Sequence, residues 1–159
     1  MKALIVYDSF FGNTEKIAEA IGRALGSPPD VQVVRVSACI PGQLSDLDWL
    51  IVGSPTRGFQ PSPLIKNFMA MIPADGLRGV KVTAFDTRVP LDKIPGFLRF
   101  IQKRTGWADK HIVAALMKKG GELAAPSAGF LVQDSEGPLV QGELERAAAW
   151  ARGLQTVTG

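Results

Sequence analysis

The sequence predicts an α/β fold, in which a parallel β-sheet is covered by helices on both faces. Apolar runs of strand length alternate with amphipathic segments of helix length along the chain. The strand candidates are continuously apolar, which is typical of parallel strands that are buried on both faces. With 159 residues, of which 46% are hydrophobic and 21% charged, the chain is expected to form a single domain over residues 1–159 with a self-supporting core.

The first strand–helix–strand unit has the clearest pattern. Residues 2–8 form an apolar run that ends in an acid, and residues 14–25 have the periodicity of an amphipathic helix. Glycine and two prolines at positions 26–29 end that helix. Residues 31–36 are the second predicted strand, and a right-handed crossover makes it parallel to the first.

The rest of the chain continues the alternation. Strands are predicted over residues 49–52 and 80–85, and a fifth strand over residues 122–132 is interrupted near Pro126. Three further helices are predicted: one that begins at Pro63 with Ser62 as its N-cap, one around residues 112–117, and one over residues 142–154.

Three loops are the candidate functional regions. In a parallel sheet, ligands bind at the carboxyl ends of the strands, where the strand order reverses. The loops after the first, third and fourth strands are residues 9–14, 54–62 and 86–90. We therefore expect a binding site that is built from these three segments.

The first loop has the features of an anion site. It leads from a buried strand into a helix start, where backbone N–H groups and the helix dipole favour negative charge. Gly12 permits a tight turn, and Ser9, Asn13 and Thr14 add side-chain donors. No Lys or Arg lies in the loop, so a phosphate there would be held by neutral donors. The alternative is that Asn13 or Thr14 only caps the helix.

The second and third loops suit a flat ring with hydrogen-bonding edges. The second begins with Gly-Ser-Pro-Thr-Arg-Gly-Phe at positions 53–59, where Phe59 offers an apolar face to a planar ligand. The third begins with Asp-Thr-Arg at positions 86–88. Either loop alone could be an inert turn, but their convergence with the first loop at one sheet edge favours a shared site.

Residues 7–15, Tyr-Asp-Ser-Phe-Phe-Gly-Asn-Thr-Glu, resemble the phosphate loop of flavodoxins, whose usual core is Ser/Thr-x-Thr/Ser-Gly-Asn-Thr. Residues 53–56 resemble the start of the second flavin loop of that family, and residues 86–88 look like the third. Residues 136–139 and 142–147 are similar to the C-terminal end of one flavodoxin subgroup. The resemblance covers essentially the whole chain.

The resemblance implies a flavodoxin-like three-layer sandwich with a five-stranded parallel sheet in the order 2-1-3-4-5, and FMN at the switch point; flavodoxins are one known example of that topology. It implies that Ser9, Gly12, Asn13 and Thr14 hold the phosphate, with Phe10 and Phe11 contributing backbone groups only. The implied ring-lining residues are Ser54, Pro55, Thr56, Arg57, Gly58 and Phe59 on one side, and Asp86, Thr87 and Arg88 on the other. Gly58 matches the family glycine whose peptide reorients when the flavin takes up an electron and a proton.

The chain departs from the family in three ways. Phe11 stands where the family has Thr or Ser, and Arg57 occupies the place of one of the aromatic residues that sandwich the ring. The family is typically acidic, whereas this chain has a formal net charge of +3. Residues 80–119 hold nine Lys and Arg and three Asp, a net charge of +6, so we expect partners that are acidic.

A segment between Thr87 and Trp107 is longer than this loop requires. It interleaves Ile94, Phe97, Leu98, Phe100 and Ile101 with four basic residues. We interpret it as a short amphipathic helix that packs its apolar side on the core. The alternative is a docking surface beside the flavin; a membrane-surface role is less favoured.

The expected function is an FMN-binding electron carrier that serves redox partner proteins in the cytoplasm, with no nucleic-acid or membrane partner. Neither a catalytic nucleophile nor a metal site is evident, and the lone His111 lies on a predicted helix away from the site loops. The alternative is an FMN-dependent oxidoreductase of quinone or protoporphyrinogen type on the same fold. A response-regulator domain is disfavoured because it needs a phospho-acceptor Asp at the end of the third strand, where this chain has Gly-Ser. A dinucleotide-binding domain is disfavoured because no G-x-G-x-x-G follows the first strand.

Overall fold

The computed structural model describes residues 1–158, and within them strands and helices alternate as the sequence predicts. The strands are Ala3–Tyr7 (β1), Val31–Arg35 (β2), Trp49–Pro55 (β3), Lys81–Arg88 (β4), Glu122–Leu123 (β5) and Ala128–Leu131 (β6). The helices are Asn13–Leu25 (α1), Pro63–Met71 (α2), Gly96–Thr105 (α3), Ala108–Lys118 (α4) and Glu143–Thr158 (α5). No helix in this part of the chain is long and apolar enough to cross a membrane.

The sheet is parallel and has the predicted order, β2-β1-β3-β4-β5, with β6 also paired to β4. The fifth strand is broken, as predicted: β5 pairs with residues 81–82 of β4, and β6 with residues 85–88. The outer side of β6 is contacted by α5, because the Leu131 N–H donates to Glu143 and the Gly129 carbonyl accepts from Arg146.

Two apolar layers separate the sheet from its helices. Ala3, Ile5 and Tyr7 of β1 lie on the face covered by α1 and α5, whereas Leu4 and Val6 lie on the face covered by α2 and α4. This alternation follows from the two-residue period of a strand, and both faces are apolar because both are covered. The sheet is thereby held rigid beneath the loops at its carboxyl edge.

Strand β4 is longer than predicted. Its C-terminal residues, Asp86, Thr87 and Arg88, belong to the strand rather than to a loop. All three pair with β6, and Asp86 and Thr87 also pair with β3. Strand β3 likewise extends to Pro55. The side chains at positions 86–88 therefore alternate between the two faces of the sheet.

Helix α3 forms within the long segment, but the prediction that its apolar side packs on the core is wrong. None of its residues is buried, and Phe97, Phe100 and Ile101 are exposed. The opposite side holds the helix in place: Leu98 is half-buried there. The Arg99 guanidinium also donates to the main-chain carbonyls of Leu91, Asp92 and Ile94.

Candidate binding site

A cavity of about 520 Å³ lies at the carboxyl ends of β1, β3 and β4. Its volume is in the range of small-ligand and cofactor sites. The structure brings twelve of the fifteen predicted site residues to its wall: Ser9, Phe10, Phe11, Asn13, Thr14, Pro55, Thr56, Arg57, Gly58, Phe59, Thr87 and Arg88. The three loops therefore converge as the strand topology predicts.

The first loop ends in a helix start whose cap is a backbone turn. Gly12, the N-cap of α1, has a φ of 91°, which is a left-handed conformation that glycine adopts readily. The side chains of Asn13 and Thr14 do not cap the helix. Asn13 donates to the carbonyl of Glu136 at 3.1 Å, and the Thr14 hydroxyl lies 2.8 Å from that of Thr87.

The helix start presents main-chain donors to the cavity. Among the described residues, no protein acceptor meets the N–H groups of Asn13 and Thr14. These groups lie at the positive end of the α1 dipole, which favours an anion. Arg35 stiffens the loop from behind, because its guanidinium donates to the carbonyl of Ser9 at 3.0 Å and to Glu15 at 2.7 Å.

The second loop is a tight hairpin turn over residues 57–60. The N–H of Arg57 donates to the carbonyl of Gln60 at 2.9 Å, and the N–H of Gln60 donates back at 3.0 Å. Gly58 and Phe59 both have positive φ, 55° and 65°, as in a type I′ turn. A phenylalanine in this conformation is unusual, and such backbone strain concentrates at functional sites.

Aromatic side chains form much of the cavity wall. Phe59 and Trp107 meet edge to face with ring centroids 5.6 Å apart, and the Arg88 guanidinium lies 4.7 Å from the Trp107 ring. The Arg57 guanidinium lies 4.8 Å from the ring of Phe10 and 5.8 Å from that of Phe11. Phe10 and Phe11 both line the cavity.

Three predicted residues lie outside the cavity wall. Gly12 shapes the turn. Ser54 is fully buried behind the second loop, where its hydroxyl accepts from the N–H of Ser62 at 2.8 Å and donates to the carbonyl of Pro55. Asp86 is also fully buried, where its side chain contacts Arg88 and the main-chain N–H of Asp109 rather than the cavity.

Asp86 is instead the centre of a buried ionic network. Its two carboxylate oxygens accept from the Arg88 guanidinium at 2.7 and 2.8 Å, and one accepts from the N–H of Asp109 at 3.0 Å. Asp109 pairs with Arg88 at 3.1 Å and accepts from Ser127. Burial raises the pKa of Asp86 to about 6, against the opposing effect of Arg88. The network fixes Arg88 against Trp107 at the cavity wall.

Val89, in the predicted third loop, also lines the cavity, and seven residues that the sequence does not predict complete the wall: Lys93, Ile94, Pro95, Leu98, Trp107, Val132 and Ser135. Most belong to the long segment, which folds back over the carboxyl edge of the sheet. The basic-apolar composition of that segment was the only signal. His111 does not line the cavity, although its ring lies 3.3 Å from the side-chain amide of Gln60.

No protein-family model matches the chain. Its structure is similar to that of a flavodoxin from the domain Archaea, over 100% of both chains with 22% sequence identity and a TM-score of 0.77. Flavodoxin 1 from Bacillus cereus matches over 98% of both chains, with 16% identity and a TM-score of 0.75. Rubredoxin oxygen:oxidoreductase from Desulfovibrio gigas matches 99% of this chain and 37% of its own, with 22% identity and a TM-score of 0.69. These comparisons show that the chain has the flavodoxin-like α/β fold.

Proposed function

We propose that this chain binds FMN in the cavity and carries electrons between partner proteins. The observation that carries the proposal is that one cavity combines hydrogen-bond donors suited to a phosphate with apolar surface suited to a planar ring. The start of α1 offers main-chain donors. Phe59, Trp107 and the hairpin turn form a wall for a planar ring.

The donor set fits a phosphate monoester. The N–H groups of Asn13 and Thr14, with the hydroxyls of Ser9 and Thr14, would hold the phosphate at the positive end of α1. The cavity has one helix start that can bind one phosphate group, so FMN, which has a single phosphate, is favoured over FAD, which has a diphosphate. The Thr14 hydroxyl contacts the Thr87 hydroxyl of β4, which links the first loop to the fourth strand.

The other residues would position the ring. Phe59 and Trp107 offer apolar surface, and the turn at Gly58 places main-chain groups at the cavity wall. When bound, the isoalloxazine supplies the electron chemistry, and the protein contributes binding, orientation and electrostatics. Arg57 is the cation with the most direct electrostatic effect on the bound flavin, because no described carboxylate pairs with it, whereas Arg88 is neutralised by Asp86 and Asp109.

The visible spectrum of the purified protein tests the proposal. We expect flavin absorption bands, or their appearance when FMN is added to the apoprotein. Calorimetric titrations with FMN, FAD and riboflavin should rank FMN as the tightest ligand. Equal affinity for riboflavin would show that the first loop does not bind phosphate, and a protein that takes up no flavin would overturn the proposal.

Two substitutions locate the phosphate. Thr14→Ala removes a hydroxyl that donates to the phosphate, and a lost hydrogen bond to a charged group costs about 1.5–3 kcal/mol. Asn13→Ala removes the bond to the Glu136 carbonyl that holds the loop and its main-chain donors in place. FMN affinity should therefore fall by about tenfold or more. The matched control is Ser62→Ala, which removes a buried hydroxyl that caps α2 away from the cavity. Unchanged affinity in both loop variants would contradict the assignment.

A carrier also differs from a self-contained enzyme in turnover. With FMN bound, we expect no oxidation of NAD(P)H and no reduction of quinones unless a separate reductase is added. Sustained turnover by the protein alone would favour an FMN-dependent oxidoreductase on this fold instead.

A further inference from the structure

Helix α3 leaves a row of apolar side chains in solvent. Phe97 and Phe100 are 73% and 63% exposed, and Ile101 is 43% exposed. Together with Arg104 they occupy positions i, i+3, i+4 and i+7, which is one face of a helix. We call these four residues the α3 outer face. Exposed apolar residues that are grouped on one face are typical of a binding surface, whereas single exposed apolar residues are ordinary on protein surfaces.

The surroundings of this face are cationic. Residues 91–107 hold two lysines, two arginines and one aspartate, a net charge of +3. The guanidinium of Arg104 lies 5.3 Å from the Phe100 ring. Among the described residues Lys93 pairs with Asp134 at 3.7 Å, whereas no carboxylate pairs with Arg104 or Lys103. The face therefore complements a surface that is apolar at its centre and negatively charged around it.

The other side of the same helix belongs to the candidate binding site. Leu98 lines the cavity, as do Lys93, Ile94 and Pro95 just before the helix. A helix with its side chains is about 10–12 Å across. A partner docked on the α3 outer face would therefore lie one helix diameter from the cavity wall.

We propose that the α3 outer face is the docking surface for an acidic electron-carrier protein. The proposal rests on the proposed function, since the partner exchanges an electron with the bound flavin. In the docked complex, the reduced centre of the partner loses one electron and the flavin gains it, with the accompanying proton taken from solvent. Phe97, Phe100 and Arg104 supply the centre of the interface, where Arg104 pairs with a carboxylate of the partner, and Lys103 pairs with a carboxylate at its rim.

The placement of Arg104 favours a protein over an anionic membrane. An interfacial membrane helix keeps its cations on the polar side and its apolar side free of charge. Here Arg104 stands within the aromatic row and lies against Phe100. A mixture of arginine and aromatic residues is typical of the energetic centre of protein interfaces.

The test uses an acidic plant-type [2Fe–2S] ferredoxin as the probe and basic cytochrome c as the opposite-charge control. FMN uptake is first measured for every variant from the visible spectrum, which tests the proposed function separately. Ferredoxin binding is then measured by calorimetry with and without FMN, and electron transfer from reduced ferredoxin by stopped-flow absorbance. Wild type should bind ferredoxin in preference to cytochrome c, and more weakly at high ionic strength.

Two kinds of variant address the surface. Phe97→Ser with Phe100→Ser should weaken ferredoxin binding at least tenfold, and Lys103→Glu with Arg104→Glu should do the same while reducing its salt dependence. The matched controls are Met71→Ser and Lys118→Glu, which change an exposed apolar residue and an exposed lysine elsewhere. The controls should remain within twofold of wild type, and all variants should take up FMN as wild type does.

Several outcomes would overturn the proposal. One is ferredoxin binding that is equal in the α3 variants and the controls, whether or not FMN binds. Another is binding to phosphatidylcholine–phosphatidylserine vesicles that depends on Phe97 and Phe100 while ferredoxin binding does not. A third is a dimer in analytical ultracentrifugation that Phe97→Ser with Phe100→Ser dissociates, because a second copy would then cover the face. Failure of FMN uptake with retained ferredoxin binding would overturn only the proposed function.

Discussion

A methyl group at position 53 would collide with the core directly beneath the second site loop. A Cβ on Gly53 would lie 2.0, 2.3 and 2.5 Å from three ring carbons of Phe85. Phe85 is fully buried. It cannot rotate away easily, because its ring packs edge to face against Phe130 and Trp150, with centroids 6.3 and 6.4 Å away. The substitution Gly53→Ala therefore forces either the ring or strand β3 to move.

The expected cost lies at the upper end of the range for overpacked cores. Extra methylene groups in a packed interior destabilise proteins by about 1–3 kcal/mol, and sometimes more. Since three contacts are well below the van der Waals distance, we expect a loss of about 3 kcal/mol or more. That is a large share of the roughly 5–15 kcal/mol that stabilises an ordinary domain.

Urea denaturation of the apoprotein, followed by far-ultraviolet circular dichroism, measures this loss without a contribution from ligand binding. The matched control is Gly153→Ala in α5, where nothing lies within 4 Å of the added Cβ. There the better helix propensity of alanine should stabilise the fold by about 0.5–1 kcal/mol. Adding Phe85→Leu to Gly53→Ala should recover part of the loss. Stability of Gly53→Ala within about 1 kcal/mol of wild type would refute the steric argument.

Two further predictions concern the charges beside the cavity. Burial raises the pKa of Asp86 to about 6, so its carboxyl group holds a proton more tightly in the folded state than in the unfolded state. The protonated carboxyl group therefore contributes to the free energy of unfolding at low pH, and this contribution is lost as pH rises. The free energy of unfolding of wild type minus that of Asp86→Asn should therefore fall between about pH 4 and pH 6, by at most ~1.4 kcal/mol per pH unit; denaturant titrations check this, and a flat difference contradicts it. Arg57→Gln should lower the reduction potential of bound FMN by on the order of tens of millivolts, since it removes a cation that stabilises added negative charge. Anaerobic spectroelectrochemistry measures the potential, the exposed Arg78→Gln serves as the control, and an unchanged potential in Arg57→Gln would leave the cation without a redox role.

The sequence predicts the architecture well because the signals for it are local. Continuous apolar runs mark the buried parallel strands, and the Ser62–Pro63 pair marks the start of α2, where the Ser62 hydroxyl accepts from the N–H of Ile65. The break near Pro126 divides the fifth strand into β5 and β6. Each of these signals lies within a few residues of the feature that it specifies.

The parts that the sequence does not predict depend on distant partners. Polar residues at positions 86–88 look like a loop until β6 supplies the hydrogen bonds that extend β4. The Asp86 side chain can be buried in the core because its carboxylate accepts hydrogen bonds from Arg88 and from the N–H of Asp109. The place of Trp107 at the cavity depends on the path of the whole long segment. Likewise, the periodicity of α3 predicts a helix but does not reveal which of its faces meets the core.

The broken fifth strand also bears on how the protein avoids self-association. An unbroken strand at the edge of a sheet exposes a row of unpaired N–H and C=O groups, on which another chain can build a cross-chain sheet. Here the edge is reduced to two residues in β5 and four in β6. The outward N–H of Leu131 and the outward carbonyl of Gly129 are already occupied by Glu143 and Arg146. Helix α5 of the same chain thus occupies the edge groups with which another chain could pair, which protects this side of the molecule from edge-to-edge aggregation.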